Sequence, residues 1–198
     1  VVPGKVTAET VIGLKNAQTV NGQLVDITAN SKGVKLDNAN VIKTDILTSN
    51  GVIHVIDRVI MPSTKNIVET ADEAGSFGTL LAAAKAAGLA GALSGDGPFT
   101  VFAPTDAAFQ ALGHTVNELL KPENKHKLQE ILKYHVVQGR VFARDAVKAE
   151  NAKTLQGGTV NIGIENGRLT ANDAGIVMTD IDASNGVIHV IDGVLIPE

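Results

Sequence analysis

Apolar and polar residues along the chain follow two periods, and the change between them divides the sequence into regions. Residues 1–62 are rich in Val, Ile and Thr, with Gly and Asn between them, which predicts several short β-strands. From residue 66 to residue 93, apolar side chains recur every three or four positions, which predicts helices. The apolar segment 99–104 then indicates a short buried strand that Pro104 ends.

Helix signals continue after this strand and give way to strands again at Val136. Thr105 is a suitable N-cap for a helix that extends to residue 112, and Pro122 is well placed to open another helix. Beyond Val136, the segments 160–164 and 168–171 flank a Glu-Asn-Gly turn, a combination typical of a β-hairpin. Helices and strands therefore follow each other in blocks, which predicts an α+β fold.

The two strand-rich regions repeat each other. Residues 50–62 read NGVIHVIDRVIMP and residues 185–197 read NGVIHVIDGVLIP, so the offset is 185 − 50 = 135. Residues 1–63 align with residues 136–198 at this offset without gaps, and 26 of 63 positions are identical. A repeat of this length is a domain-sized duplication. We therefore expect residues 63–198 to form a complete domain and residues 1–62 to form the C-terminal, β-rich half of a related domain.

The first copy lacks a counterpart of the helical region 63–135. Its strands would then have an uncovered apolar face and unpaired edges. Three explanations are open: a longer precursor that is cut before Val1, packing of the half-domain on the complete domain of its own chain, or a neighbouring molecule that supplies the missing surface. The third explanation predicts a homo-oligomer with head-to-tail contacts, which closes into rings or continues as a fibre.

Composition excludes several classes of protein. The 44% hydrophobic and 19% charged residues are typical of a globular protein, and a net charge of −4 argues against a nucleic-acid partner. No apolar run approaches the roughly 18 residues of a membrane-spanning helix. The chain has no cysteine, which excludes disulfides and thiol chemistry. It also has no Asn-x-Ser/Thr acceptor for N-glycosylation, which favours a bacterial or archaeal source for an exported protein.

Candidate catalytic and metal-binding residues are sparse. The sequence has no Gly-x-Ser-x-Gly, Walker, His-Glu-x-x-His or Gly-x-Gly-x-x-Gly motif, so we expect no enzymatic activity and no cofactor. His54 and His189 have no second ligand at metal-binding spacing, and a buried histidine with a hydrogen bond explains each of them better than a metal site. Asp57 and Asp192 are expected to order turns, and the Asn-Gly pairs at residues 50–51 and 185–186 to supply backbone with positive φ.

Three ordered blocks of the sequence resemble the signatures of fasciclin-like domains. PFTVFAPTDAAF at residues 98–109 is similar to the first signature of this family, and Tyr134-His135 resembles its Tyr-His motif. NGVIHVIDGVLIP resembles the second signature, of which residues 50–62 are a further copy. The resemblance covers residues 64–198 as one domain and residues 1–62 as half of a preceding domain. Nine residues carry the signature positions: Phe99, Pro104, Thr105, His54, Asp57, Asn185, Gly186, His189 and Asp192.

The resemblance implies a wedge of two small β-sheets with helices packed over it. It also implies an extracellular or cell-surface module that acts in adhesion and matrix organisation. The proposed integrin-recognition segments of the family contain an Asp-Ile pair, and the matching pairs are Asp45-Ile46 and Asp180-Ile181. An exposed carboxylate could complete a metal-dependent receptor site of a partner, whereas the structural alternative is a turn cap beside a core isoleucine.

Tyr134-His135 is the remaining candidate for partner contact. The family motif is linked both to domain integrity and to adhesion, and its position between a helix and a strand favours integrity. The sequence as a whole predicts a non-enzymatic, secreted or cell-surface adhesion or matrix module that binds a cell-surface or matrix protein. The alternatives are a self-assembling subunit of an extracellular polymer, in which a neighbour completes the half-domain, and a groove that binds a small molecule or glycan or catalyses a reaction.

Overall fold

The computed structural model describes residues 1–31 and 33–197, and at residues 114 and 117 it describes the backbone but not the side chains. Glu198, the last residue of the second predicted domain, lies outside the described residues. The chain forms two compact units, Val1–Ser63 and Thr64–Glu198, which we call the N-terminal unit and the C-terminal unit.

The described residues of the N-terminal unit form an antiparallel meander with one short helix. Its five strands lie in the order β1-β2-β3-β4-β5, so each strand pairs with its neighbour along the chain. Its elements are α1 (Ala8–Ile12), β1 (Asn16–Gln18), β2 (Leu24–Asn30), β3 (Gly33–Leu36), β4 (Ala39–Thr48) and β5 (Gly51–Ile56).

The C-terminal unit begins with a helical half and ends with strands. The helical half contains α2 (Ile67–Ala74), α3 (Gly78–Ala87), α4 (Ala90–Ser94), β6 (Phe99–Pro104), α5 (Asp106–Ala111), α6 (His114–Leu119), a 3-10 turn (Pro122–Asn124) and α7 (Lys125–Tyr134). The strand-rich half contains β7 (Val136–Gln138), α8 (Ala143–Ala149), β8 (Asn151–Lys153), β9 (Thr159–Glu165), β10 (Arg168–Ala171), β11 (Ala174–Ala183) and β12 (Gly186–Ile191).

The strands of the C-terminal unit follow the order β7-β6-β12-β11-β10-β9-β8. These strands form one seven-stranded sheet, in which the start of β11 pairs with β10 and the rest of β11 pairs with β12. Strand β12 lies between β11 and β6, and its pairing with β6 is parallel. All six residues of β12 are buried, as expected for a central strand covered on both faces. The α+β class is therefore confirmed.

Two hydrophobic clusters form the interior of the C-terminal unit. The helix-side core lies between the helices and one face of β6 and β12, and it includes Ile67, Leu80, Leu132, Ile188 and Val190. The strand-side core lies between the strands and α8, and it includes Phe102, Tyr134, Val160, Ile176 and Ile191. Burial of these side chains is the main stabilising contribution, at roughly 25 cal/mol per Å² of apolar surface.

The sequence repeat is also a structural repeat. Every element from α1 to β5 has a counterpart from α8 to β12 whose first residue lies 135 positions later, as Gly186 follows Gly51. The two β-bulges of β4 recur at the equivalent positions of β11. Each copy also holds an aspartate in left-handed backbone within this bulged strand, Asp45 at φ 57° and Asp180 at φ 60°.

The sequence-based expectation of strands alone in the two repeated regions is wrong at one element. Both copies contain a short helix, α1 or α8, where only strands were predicted. The Thr7 side chain accepts a hydrogen bond from the backbone N–H of Thr10 and caps α1. Ala8 and Glu9 favour helix, whereas Thr10, Val11 and Ile12 have lower helix propensity, so the cap helps to decide the conformation of this five-residue helix.

Candidate functional site

The two Asp-Ile pairs lie on the bulged strands, and each aspartate binds the start of a helix. Asp180 Oδ1 accepts a hydrogen bond of 2.8 Å from the N–H of Ala143, the first residue of α8. Asp45 Oδ1 accepts the equivalent bond of 3.0 Å from Ala8, the first residue of α1. A carboxylate at this position satisfies a free helical N–H group and favours the helix dipole. The same side chains are therefore charged surface groups and helix caps.

The isoleucines of these pairs are both half-buried. Ile181 is half-buried and packs against the helix-side core, and Ile46 is half-buried in the N-terminal unit. Asp45 is exposed, whereas Asp180 is half-buried. Asp45 thus presents its carboxylate at the surface, whereas the Asp180 side chain is only 18% exposed.

His189 is buried beside the bulge and has both ring nitrogens in hydrogen bonds. Its Nε2 bonds the carbonyl of Val141 at 2.9 Å, and its Nδ1 accepts a bond of 3.3 Å from the N–H of Asp180. These partners fix the neutral tautomer with the proton on Nε2. Burial lowers the pKa of His189, which keeps the ring neutral. His54 bonds the equivalent carbonyl of Val6 at 2.8 Å, so each histidine links its strand to the segment before the short helix.

Tyr134 and His135 join helix α7 to the strands. The Tyr134 hydroxyl donates to the Thr159 carbonyl at 2.7 Å and accepts from the Asn172 amide at 3.2 Å. His135 Nδ1 donates to the carbonyl of Ile131 at 2.8 Å, and Nε2 accepts from the N–H of Leu195 at 2.9 Å.

Both side chains of this motif are buried, and His135 is only 1% exposed. Burial lowers the pKa of His135 to about 4, because the charged imidazolium would lose its hydration. The polar atoms of the motif are thus occupied by bonds within the C-terminal unit.

Asn185 connects the start of β12 to two helices. Its Oδ1 accepts from the N–H of Ile67 at 2.9 Å, and its Nδ2 donates to the carbonyls of Leu93 and Gly95 at 2.9 and 2.7 Å. The side chain therefore holds the first N–H of α2 and the carbonyl end of α4 against the strand. Asn50 is the equivalent residue of the N-terminal unit, and its Oδ1 accepts a bond from Thr48 Oγ1.

Gly186 is required by close approach of a neighbouring strand. A Cβ atom at this position would lie 2.1 Å from the carbonyl oxygen of Phe99 and 2.6 Å from Cδ1 of Ile67. Neither Gly186 nor Gly51 is among the described residues with positive φ, so the expectation that the Asn-Gly pairs supply such backbone is wrong. The glycine instead leaves room for β6.

The other signature residues hold strand ends in place. Thr105 Oγ1 accepts from the N–H of Ala108 at 3.2 Å and caps α5, directly after Pro104. Asp192 Oδ1 accepts from the N–H of Gly175 at 2.7 Å. Asp57 makes the same bond with Asn40 at 2.8 Å, and a second bond with the Asn40 side chain lowers the pKa of this carboxyl.

Arg140 forms an ion pair that the sequence did not reveal. Its guanidinium donates to Asp182 Oδ1 at 2.6 Å and to the carbonyls of Gly186 and Ala183 at 2.7 and 2.9 Å. These bonds fix the hairpin between β11 and β12. The two charged partners lie 42 residues apart, and the repeat has lysine and leucine at the equivalent positions 5 and 47, so no local pattern indicates the pair.

A groove of about 450 Å³ opens beside Tyr134 in the C-terminal unit. Its lining is mostly polar: Tyr134, Gln156, Gly158, Thr159, Asn161, Asn172, Asp173, Ile196 and Pro197. The N-terminal unit has a groove of about 560 Å³ that is lined partly by equivalent residues, among them Asn21, Gln23, Asp37, Met61 and Pro62. Sequence reasoning raised a groove as an alternative but did not identify these residues, because they come from separate segments of the chain.

Comparison with known proteins decides the family. The model of the Fasciclin domain matches residues 1–62 and 75–197, which is most of the chain. The chain belongs to the fasciclin domain family. This confirms the resemblance carried by the two signature blocks and the Tyr-His motif.

Relatives of this fasciclin chain occur in bacteria and in mammals. It is 49% identical over 144 residues to Protein sll1483 of Synechocystis sp., and the match covers 72% of the chain and 79% of that protein. It is 38% identical over 168 residues to transforming growth factor-beta-induced protein ig-h3 of Sus scrofa, with 83% of the chain covered. It is 36% identical over 169 residues to periostin of Homo sapiens, also with 83% covered. The chain spans only 24% of the former mammalian protein and 20% of the latter.

The fold of this fasciclin chain matches a solved structure along its whole length. The match is a FAS1 domain pair from the insect cell adhesion molecule Fasciclin I, with a TM-score of 0.63 and 19% sequence identity. It covers 100% of the chain and 77% of the solved one. The predicted fasciclin-like fold is therefore confirmed. Within residues 1–31 and 33–197, no helix combines the length and apolar character needed to cross a bilayer.

Proposed function

We propose that this fasciclin chain is a non-enzymatic adhesion or matrix module that is secreted or displayed on the cell surface. It acts through contact with a cell-surface or matrix protein. Family membership supports this role, and the solved domain pair of the same fold comes from a cell adhesion molecule. A bacterial or archaeal source remains a prediction from the sequence.

The observation that carries the proposal is the repeated aspartate on the bulged strand. Asp45 and Asp180 have the same left-handed backbone, the same neighbouring isoleucine and the same bond to a helical N–H group. Left-handed backbone is uncommon for a residue other than glycine, and such conformations cluster at functional sites. We assign Asp45-Ile46 and Asp180-Ile181 as the contact segments, with the carboxylate completing a metal-dependent site of the receptor. Tyr134 and His135 support the fold of the module and do not touch the partner, since both are buried.

A charge-specific substitution tests this assignment. Asp45→Asn and Asp180→Asn keep an oxygen that can accept the helical N–H bond but remove the charge that a metal ion needs. The assay counts cells of the source organism that attach to surfaces coated with the chain. Asp37→Asn is the matched control, because the equivalent position of the C-terminal unit is naturally Asn172. The three proteins compared are the unmodified chain, the double variant with Asp45→Asn and Asp180→Asn, and the Asp37→Asn control. Loss of attachment in the double variant alone supports the contact segments, whereas equal attachment by all three proteins refutes them.

Self-assembly is the second candidate function, and the exposed side chains of β5 favour it. Ile53 on this strand is 51% exposed, and the strand lies at the end of the sheet order. An exposed apolar edge strand promotes pairing with another chain. Sedimentation over a wide range of concentration tests this candidate, because assembly requires oligomers that grow with concentration. A monomer at high concentration rules it out.

A further inference from the structure

The groove beside Tyr134 has a back wall that the fold already holds in place. The Tyr134 hydroxyl donates to the Thr159 carbonyl at 2.7 Å and accepts from the Asn172 amide at 3.2 Å. Asn172 Oδ1 in turn accepts from the N–H of Asn161 at 2.8 Å. Gly158 leaves room for the tyrosine ring, because an added Cβ atom would lie 2.9 Å from Tyr134 Cε2. These contacts fix the wall before any ligand arrives, and such preorganisation favours binding.

Strand β9 turns its polar face towards this groove. Val160 is buried in the strand-side core, whereas Thr159 and Asn161 are exposed on the opposite face and line the groove. The backbone N–H and carbonyl of Asn161 are both bonded to Asn172, at 2.8 and 2.7 Å. Because this backbone is occupied, the groove does not suit a peptide that binds by strand addition. Recognition of a ligand therefore depends on the side chains.

Four side chains of the groove offer polar atoms that the fold does not use. Within the described part of the chain, no hydrogen bond occupies the Asn161 carboxamide, the Thr159 hydroxyl or the Asp173 carboxylate. Gln156 Oε1 accepts from the N–H of Gly158 at 2.9 Å, which leaves its Nε2 to donate elsewhere. Amides and hydroxyls both donate and accept, whereas a carboxylate accepts only. A ligand that carries several hydroxyl groups satisfies this mixture.

The charge of the groove argues against a charged ligand. Among its described lining residues, Asp173 carries the only charge, and there is no Lys, Arg or His. A phosphate, sulfate or uronate would therefore face a carboxylate with no cation to pair it. A single exposed carboxylate adds little affinity for an organic cation. In the part of the chain that the structure describes, no group of three or more His, Cys, Asp or Glu residues could hold a metal ion.

One side of the groove is aliphatic. Ile196, which is 52% exposed, and Pro197 complete the lining there. The aromatic ring among the described lining residues, Tyr134, is buried, so a flat aromatic ligand finds no face on which to stack. A saturated ring with hydroxyl groups at its edge and C–H groups on its face matches both sides of the groove. The volume of about 450 Å³ lies in the usual range of small-molecule sites.

We propose that this groove binds a pyranose unit of a neutral saccharide. Asn161 and Asp173 bond hydroxyl groups at the edge of the sugar ring, and Ile196 covers a C–H face of the ring. The ligand class is thus a neutral glycan rather than a protein. The proposal does not depend on the contact role of Asp45 and Asp180, neither of which lines the groove.

The N-terminal unit supplies a comparison within the same chain. Its groove has Leu24 and Asp37 at the positions of Thr159 and Asn172. The counterpart of Asn161 is residue 26, which is an aspartate. The N-terminal groove therefore lacks a hydroxyl and carries more negative charge, so we expect it to bind the neutral saccharide more weakly.

NMR titration of the isotope-labelled full chain tests the proposal. The neutral probes are maltotriose, cellobiose, lactose and mannobiose, and digalacturonic acid is the charged comparison. We expect at least one neutral probe to shift the amide resonances of residues 156–161 and 172–173, with saturation at a Kd of about 1 mM. This Kd should not change with salt concentration, because the ligand is uncharged. Shifts of the equivalent residues 21–26 and 37–38 should be smaller.

Variants of strand β9 identify the groove as the binding site. Asn161→Ala should raise the Kd about 10-fold, because it removes the carboxamide and keeps the backbone bonds to Asn172. Thr159→Val provides a second variant that removes a hydroxyl and suits a strand, and it should also weaken binding. Glu165→Ala is the matched control, since Glu165 lies on the same face of β9 but does not line the groove. Its Kd should equal that of the unmodified chain.

Three results would overturn the proposal. The first is the absence of a saturable shift with every neutral probe up to about 50 mM. The second is a Kd that neither Asn161→Ala nor Thr159→Val changes. The third is binding of digalacturonic acid alone, which would assign the groove to an anionic ligand.

Discussion

Ile53 and Ile188 provide a direct test of how much the helical cover contributes to stability. They occupy the same position of identical strands, but Ile53 is 51% exposed and Ile188 is 1% exposed. Replacement by alanine removes three carbon atoms, worth about 2.4 kcal/mol at roughly 0.8 kcal/mol per buried carbon. At Ile188 the cavity left in the helix-side core raises the loss to about 4 kcal/mol. At Ile53 about half of the transfer term and no cavity term apply, which gives a loss of about 1 kcal/mol.

Urea unfolding monitored by tyrosine fluorescence measures the loss of stability caused by Ile188→Ala without a contribution from the N-terminal unit. The chain has one tyrosine and no tryptophan, and Tyr134 is buried in the C-terminal unit. With a slope of about 2 kcal/mol per molar urea, Ile188→Ala should lower the midpoint by about 2 M. Ile53→Ala should leave this midpoint unchanged and lower only the protection of strand amides in the N-terminal unit. Equal shifts of the tyrosine midpoint, or a shift below about 0.5 M for Ile188→Ala, would refute the argument.

Three further predictions concern single side chains. Gly186→Ala should destabilise the C-terminal unit by about 3 kcal/mol in the same urea assay, because its Cβ meets the backbone of β6. Gly51→Ala should leave the protection of strand amides in the N-terminal unit nearly unchanged, because no atom lies within 3.4 Å of the added Cβ. His135 has a folded-state pKa of about 4 against about 6.5 when unfolded, so stability is full above pH about 6.5. The free energy of unfolding should fall by up to about 3 kcal/mol as the pH drops to about 4, and the urea midpoint should fall with it. A midpoint that does not change with pH would contradict a buried neutral ring. Asp180→Ala should cost about 1 kcal/mol through the lost helix cap, and Asp180→Asn should restore most of it in the same titration.

The repeat and the main elements could be predicted from the sequence because they depend on local patterns. The predicted hairpin segments 160–164 and 168–171 correspond to β9 and β10, and the helical spacing of residues 66–93 corresponds to α2, α3 and α4. Gly75 and Gly88 end two of these helices in left-handed backbone, at φ 68° and 76°.

The arrangement of the site could not be predicted because its bonds join distant parts of the chain. Asp180 caps a helix that begins 37 residues earlier, and Arg140 meets Asp182 across 42 residues. The short helices α1 and α8 were missed for a related reason, since a distant aspartate completes the hydrogen bonding of each one. The resemblance to the family singled out Asp45 and Asp180, but only the fold assigned a partner to each of them.

The two GVIHVI strands allow the effect of the environment on a strand to be measured at constant sequence. Each residue of the hexapeptide gives two resonances in one NMR sample, one from a strand enclosed on both sides and one from a strand at the sheet margin. Temperature, solvent and neighbouring residues within the strand are identical for the pair. Ile53 and Ile188 are the isoleucines at the third position, and the difference between their side-chain mobilities measures the effect of burial on the same residue in the same strand sequence. Scales of β-propensity combine this effect of burial with the intrinsic conformational preference of the residue.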